Sequence, residues 1–203
     1  MNSNKIVIIP TYNEMENVEK MIRKVMSLPE SFDLLIVDDG SPDGTGAIVK
    51  RLLPEFNSNL YLLERSGKSG LGTAYIAGFK WALERKYQFI FEMDCDFSHN
   101  PEDLIKLAAE LENKGADLVI GSRYIKGVNV VNWPMGRVLM SYFASKYVRF
   151  ITGMNITDTT AGFVGYRDLV LKTIELDKIR FKGYAFQIEM KFVTWKFGFK
   201  IQE

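Results

Sequence analysis

The sequence has almost none of the residues on which several common site chemistries depend. Cys95 is the single cysteine in 203 residues. No internal disulfide can form, which excludes a disulfide-stapled secreted domain and suits a reducing cytoplasm. His99 is the single histidine. A serine or cysteine nucleophile elsewhere therefore has no other histidine to act as its base, which argues against a triad hydrolase. Charge of one sign is missing too: 26 basic residues meet 25 acidic ones, for a net charge of +1. No global field would gather nucleic acid, so any anion recognition has to be local. Long apolar runs are also absent. None approaches the roughly 18–20 residues that span a bilayer. The run that follows Met1-Asn2-Ser3-Asn4-Lys5 covers only residues 6–9, so neither a signal peptide nor a membrane span is expected.

Repeats, low-complexity tracts and Pro/Ser-rich linkers do not occur. A chain of this length that is 47% hydrophobic reads as one domain, residues 1–203, with a sizeable core. What the chain does have is alternation. Apolar strands are expected at 6–9, 34–37, 60–63, 89–93 and 117–121. Between them apolar residues recur at helical spacing, as at Val18, Met21, Ile22 and Val25, or Leu104, Leu107, Ala108 and Leu111. Asn13 is a candidate cap for the first helix, and Asn100-Pro101-Glu102-Asp103 opens the fourth. Short apolar strands alternating with amphipathic helices imply an α/β fold with a mostly parallel sheet covered on both faces. Ligands of such sheets sit beyond the carboxyl ends of the strands. After about residue 124 the rhythm breaks.

The polar clusters fall where that rule puts a site. Pro10-Thr11-Tyr12-Asn13-Glu14 follows the first strand, Asp38 to Thr45 the second, and Asp94-Cys95-Asp96-Phe97-Ser98 the fourth. Two carboxylates one residue apart repel each other unless a proton or cation lies between them. Oxygen donors of this kind suit Mg²⁺ or Mn²⁺ completed by substrate phosphate. The same pair also serves as a solvated turn or as caps for the next helix. Tyr12 is placed to stack on a base. Glu14 and Asp39 are placed to accept hydrogen bonds from base or ribose, though Asp39 sits among ordinary turn formers. Gly67-Lys68-Ser69-Gly70-Leu71-Gly72 offers backbone N–H groups and a lysine to phosphate. It matches neither a Walker A loop nor a dinucleotide fingerprint. Arg123 and Arg137 suit bidentate phosphate recognition, or a surface ion pair.

In their order, PTYNE, VDDGSPDGT, GLGTA, DCDFSHNP and GSRY resemble the family 2 glycosyltransferases of the GT-A (Rossmann-like) fold. The resemblance is closest to the dolichol-phosphate and polyprenol-phosphate mannose synthases. Asn132-Trp133-Pro134 with Arg137 and Ser141, and Asp158 followed by Gly162-Phe163, belong to the same pattern. The resemblance implies a donor half at 1–121 that binds a nucleotide-sugar, GDP-mannose. It implies an acceptor half at 122–203 for a polyprenyl phosphate at a membrane surface. Transfer would proceed with inversion; a UDP-sugar donor, or a non-catalytic nucleotide-binding module, are the alternatives. Pro10, Tyr12, Glu14, Val37 and Asp39 would surround the nucleoside, with Lys68, Gly70 and Cys95 also lining the donor. Asp94 and Asp96 would hold the divalent cation, with Ser98 in third place. Arg123, Arg137 and Ser141 would face phosphate, and Asp158 would support the sugar. Relatives continue with a further phosphate-gripping segment, so the end at Glu203 reads as a truncation of the acceptor half. A location at the cytoplasmic face of a membrane follows, with a membrane-anchoring subunit as a possible partner. Aromatic and basic residues at 138–151 suit an interfacial helix, or a core helix with snorkelling bases.

Overall fold

The computed structural model of the chain describes residues 3–125 and 135–203, apart from the side chains of Asn57 and Arg137. Its first part runs β1 (Lys5–Thr11), α1 (Val18–Met26), β2 (Asp33–Asp38), α2 (Thr45–Phe56), β3 (Leu60–Glu64), α3 (Leu71–Glu84), β4 (Phe89–Glu92), α4 (Asp103–Asn113) and β5 (Leu118–Ile120). The second part adds α5 (Met135–Thr152), β6 (Val164–Arg167), α6 (Asp168–Thr173), α7 (Ala185–Lys196) and β7 (Ile201–Gln202). The expected strands are all present within a residue or two of their expected ends.

The strands form one sheet in the order β3-β2-β1-β4-β6-β5-β7. Pairing is parallel from β3 through β4 and between β5 and β7, and antiparallel where β6 meets β4 and β5. The alternation of side chains along a strand builds two cores. Ile6 and Ile8 of β1 face one layer, with Tyr75 and Phe79 of α3 and Phe186 and Met190 of α7. Val7 and Ile9 face the other, with the buried stripes of α1, α2 and α4. The sheet is thus sandwiched between helices, as the α/β reading expects.

Two local expectations fail for identifiable reasons. Asn13 does not cap α1. It takes a left-handed backbone (φ 62°), and its N–H is held by the Ser41 hydroxyl at 3.1 Å. The helix starts later, at Val18. Asn100 accepts a hydrogen bond from the Glu102 N–H at 3.1 Å, but this organises the turn ahead of α4 rather than the helix end itself.

Gly78 lets α3 lie close on the sheet, because a Cβ there would stand 2.6 Å from Ile8 Cγ2. The clash is with a fully buried branched side chain in a close-packed core. Gly78→Ala is therefore expected to destabilise the domain by about 1–2 kcal/mol. Overpacking of about 1–3 kcal/mol outweighs a helix-propensity gain of up to about 1 kcal/mol. Denaturant unfolding of the two proteins measures it.

Candidate active site

β1, β2 and β4 are neighbours and run parallel, so the loops after them emerge side by side. The chain turns outward to β2 on one flank of β1 and to β4 on the other, which is the switch point where open α/β sheets bind ligands. A cleft of about 400 Å³ lies there, with Pro10, Tyr12 and Glu14 from the first loop, Asp39 from the second, and Asp94, Cys95 and Asp96 from the fourth. Lys68, Leu71 and Ala74 close it from the glycine-rich loop and α3, and Tyr184 stands at its edge. The Lys68 ammonium lies 4.5 Å from the centre of the Tyr12 ring, so one cation and one aromatic face mark the same wall.

Asp94 and Asp96 are held differently. Asp96 is exposed, and its Oδ1 accepts a hydrogen bond from the Ser98 N–H at 2.9 Å. Asp94 is partly buried, and its Oδ1 accepts one from the Tyr75 hydroxyl at 3.1 Å. Burial, and then the charge of Asp96, push the Asp94 carboxyl up to about 6. Burial is the larger cause, and the like charge of Asp96 on the same wall adds to it. Gly162 keeps the other side of Asp94 open, since a Cβ there would stand 3.3 Å from Oδ2. Hard oxygen donors, mutual repulsion and an uncrowded carboxylate fit a divalent cation. Among the described residues no three His, Cys, Asp or Glu side chains cluster as an all-protein cage. Such an ion would thus draw ligands from substrate and water, as Mg²⁺-type sites do. Ser98 is buried and is tied to Asp96 through its backbone rather than lining the cleft.

A second assembly is centred on Arg123. Its Nε and Nη2 donate to the two oxygens of Asp158 at 2.7 and 2.5 Å, and its backbone N–H donates to Asp158 Oδ2 at 3.0 Å. Nη2 also reaches Thr160 Oγ1 at 2.6 Å, and that hydroxyl lies 3.1 Å from Ser141 Oγ. Arg123 and Asp158 are both buried. The arginine charge holds the Asp158 carboxyl below the usual range against a burial penalty that acts the other way. Both oxygens of Asp158 are thus engaged by Arg123, which they orient. Glu203 orients Asp158 in turn, accepting hydrogen bonds from the Thr157 and Asp158 N–H groups at 2.6 and 2.8 Å.

The other expected site residues divide. Val37 pairs with Pro10 across β1 and β2, but its side chain is fully buried in the α3-side core, so it offers a ligand no side-chain contact. Asp39 is buried and paired with Arg65 at 2.8 Å, a partner the local turn pattern does not announce. Gly70 starts α3 with φ 102°, and a Cβ there would press on Lys182 at 3.0 Å; it shapes the loop without lining the cleft. The Cys95 thiol is buried and pushed up by that burial, so it is not a nucleophile at neutral pH. Burial pushes His99 down to about 4, which leaves it neutral against Phe163. Arg137 lies in α5, but its side chain, like all of Asn132-Trp133-Pro134, lies outside the described residues.

Three contributors have no signal in the sequence. Tyr75 occupies an ordinary core position of α3, yet it also holds Asp94. Tyr184 lies in the irregular second half. Lys191 is fully buried; its ammonium donates to Ala161 O at 2.7 Å and to Gln187 O and Oε1 at 3.3 Å. Burial lowers it to about 8, while burial raises the neighbouring Glu92 to about 8. Lys191 thus fastens α7 to the turn that carries Asp158, Thr160 and Gly162.

A sequence profile of Glycosyl transferase family 2 matches residues 6–175. The chain belongs to that family of enzymes. It is 47% identical over 199 residues to the undecaprenyl-phosphate mannosyltransferase of Micrococcus luteus, covering 98% of this chain and 80% of the relative. It is 45% identical over 198 residues to the polyprenol monophosphomannose synthase of Mycolicibacterium smegmatis, covering 98% and 74%. Among solved structures, a mannosyltransferase from Pyrobaculum calidifontis in complex with GDP-Man and Mn²⁺ superposes with a TM-score of 0.68 at 15% identity. The match covers 100% of this chain and 55% of that one; at that identity the likeness concerns the fold, and the fold is the GT-A arrangement. No helix among the described residues of this family 2 chain is long and apolar enough to cross a membrane.

Proposed function

We propose that the chain transfers mannose from GDP-mannose to the phosphate of a polyprenol, with inversion at the sugar. The observation that carries this reading is the convergence of Tyr12, Glu14, Asp39, Lys68, Asp94 and Asp96 on one cleft, in a chain whose relatives named above are polyprenol-phosphate mannosyltransferases. Tyr12 and Glu14 bind the nucleoside, and Lys68, beside Tyr12, meets the diphosphate. Asp94 and Asp96 would hold a divalent cation, which when bound neutralises charge on the leaving diphosphate. The related mannosyltransferase of the same fold holds GDP-Man with Mn²⁺.

On the acceptor side, Arg123 is fixed by Asp158 and Thr160 and orients the incoming phosphate. A phosphate monoester has a second pKa of about 6, so it is already nucleophilic at neutral pH. No strong general base is then required, in keeping with a neutral His99 and a protonated Cys95. The rate comes from placing two phosphates correctly and from stabilising the one that leaves.

Calorimetric titration with GDP-mannose and with UDP-glucose, each with and without Mn²⁺, tests the donor assignment. The expected result is Mn²⁺-dependent binding of GDP-mannose and at least tenfold weaker binding of UDP-glucose, a discrimination of about 1.4 kcal/mol. A preference for UDP-glucose would move the function to a glucosyltransferase on the same fold.

A further inference from the structure

Lys191 sits on α7 and is fully buried, and no step of the transfer uses its charge. Taking an ammonium out of water is costly, and an apolar side chain of similar volume commonly serves stability as well or better. What an apolar residue cannot do is donate. The three N–H groups of the ammonium meet three acceptors: Ala161 O at 2.7 Å, and Gln187 O and Oε1 at 3.3 Å. Gln187 lies one turn back on the same helix. Ala161 lies 30 residues away, in the turn ahead of β6. The lysine is thus a strut from α7 to that turn.

The turn carries the groups that aim Arg123. Asp158 takes Nε and Nη2 of the guanidinium, and Thr160 takes Nη2 again. The turn is pinned at its start by the Glu203 carboxylate, which accepts the Thr157 and Asp158 N–H groups. It is pinned at its end by the Gly121 N–H, which donates to Phe163 O at 2.8 Å. Lys191 holds the middle, at the residue next to Thr160. The donor side is built elsewhere. Tyr12, Glu14, Asp39 and Lys68 come from other loops, and Asp94 has its own tether in the Tyr75 hydroxyl.

We propose that Lys191 is a positioning residue for the acceptor: by holding Ala161 it sets Asp158 and Thr160, and through them the angle at which Arg123 meets the acceptor phosphate. The proposal rests on the polyprenyl phosphate reading of the site. A misplacement of about 1 Å in a positioning group can cost about 10²-fold in rate, so a strut of this kind bears on turnover without touching substrate. The choice of variant depends on Glu92, a buried carboxyl whose charge is felt at Lys191. Its Oε1 accepts the Tyr166 hydroxyl at 3.0 Å, and its Oε2 has no hydrogen-bond partner among the described residues.

Lys191→Met keeps the length of the side chain and removes the donors, but it also takes away the cation near Glu92, so its thermal midpoint is expected to fall. Adding Glu92→Gln removes that imbalance, and the glutamine oxygen still accepts from Tyr166. The Glu92→Gln/Lys191→Met double variant is therefore expected to recover most of the lost midpoint. Calorimetry with a short-chain prenyl phosphate, in the presence of GDP and Mn²⁺, reads acceptor binding, and transfer from GDP-mannose reads turnover. The double variant is expected to bind the prenyl phosphate about tenfold or more weakly and to lose at least that factor in kcat/KM for the acceptor. Its affinity for GDP-mannose should stay within about twofold of the parent, as for sites that share no partner. A lysine that only supports the fold would move both substrates together or neither. Acceptor binding equal to the parent's, equal losses for donor and acceptor, or a double variant that does not fold would each overturn the inference. A parent that binds the prenyl phosphate but transfers sugar only from UDP-glucose would sink the GDP-mannose assignment and leave the role of Lys191 standing. Parent-like acceptor binding in the double variant, with transfer from GDP-mannose intact, would do the reverse.

Discussion

An Asp96→Asn variant is expected to keep its fold and lose Mn²⁺-dependent donor binding, with mannosyl transfer reduced about 10²–10³-fold, the loss typical when a group stabilising transition-state charge is removed. The fold should survive because Asp96 is exposed and its only assigned structural task is to accept the Ser98 N–H, which an asparagine oxygen performs equally well. What disappears is the second negative charge beside Asp94. Thermal midpoints and donor titrations with and without Mn²⁺ separate the two effects. Unchanged metal-dependent binding, at an unchanged midpoint, would remove Asp96 from the cation site. A large drop in midpoint would mean that the carboxylate holds the loop together and that the functional loss is secondary.

The second large effect is expected at the Arg123–Asp158 pair. Asp158→Ala strands a buried guanidinium whose carboxylate partner supplied a forked contact. Removing one member of a buried pair destabilises by about 3–5 kcal/mol. For a domain of this size that lowers the thermal midpoint by about 10 °C or more. Asp158→Asn retains an acceptor oxygen and is expected to lose less. The pair also predicts a pH dependence. The carboxyl of Asp158 is held below its unfolded value, so the stability it contributes is fully present above the ordinary carboxylate range. It is lost as pH falls through the depressed folded value. Thermal midpoints recorded down the acid limb should fall less steeply for Asp158→Asn than for the parent. Equal slopes would mean that the contact carries no folding-linked proton.

How much of this was legible in the sequence depends on the range of the interactions. Strands β1 to β5 declare themselves as short apolar runs, because both faces of each are buried. The loops after β1, β2 and β4 could be placed on one edge because parallel neighbours send their carboxyl ends the same way. Strand β6 carries no such signal. Val164–Arg167 is short, and Gly165 is there because a Cβ would stand 2.7 Å from the Phe91 ring, a long-range demand with no local trace. Its antiparallel insertion between β4 and β5 is likewise a tertiary fact.

The site divides along the same line. Asp94 and Asp96 could be singled out from their spacing and from the strand before them. Asp39 could not be seen to pair with Arg65, 26 residues away. Asp158 could not be seen to spend its carboxylate on Arg123, 35 residues back. Asn13 illustrates the converse, a good local signal overridden: the residue type suits a helix cap, yet a hydrogen bond from its N–H to Ser41 holds it in a left-handed turn. The 138–151 segment offered two readings from sequence, core or interface. The structure exposes Leu139, Phe143, Tyr147, Phe150 and Ile151 and buries Val138, a division that depends on long-range packing and leaves no local trace.

The most direct test of the proposed activity follows labelled mannose from GDP-mannose into the lipid phase, in the presence of Mn²⁺ and a short polyprenyl phosphate, with UDP-glucose and the unphosphorylated polyprenol as controls. The prediction is a labelled polyprenyl phosphate product that forms with release of GDP, requires the acceptor phosphate, and is at least a hundredfold slower with Asp96→Asn. Transfer from UDP-glucose in place of GDP-mannose, or label that reaches the free alcohol as readily as the phosphate, would contradict it.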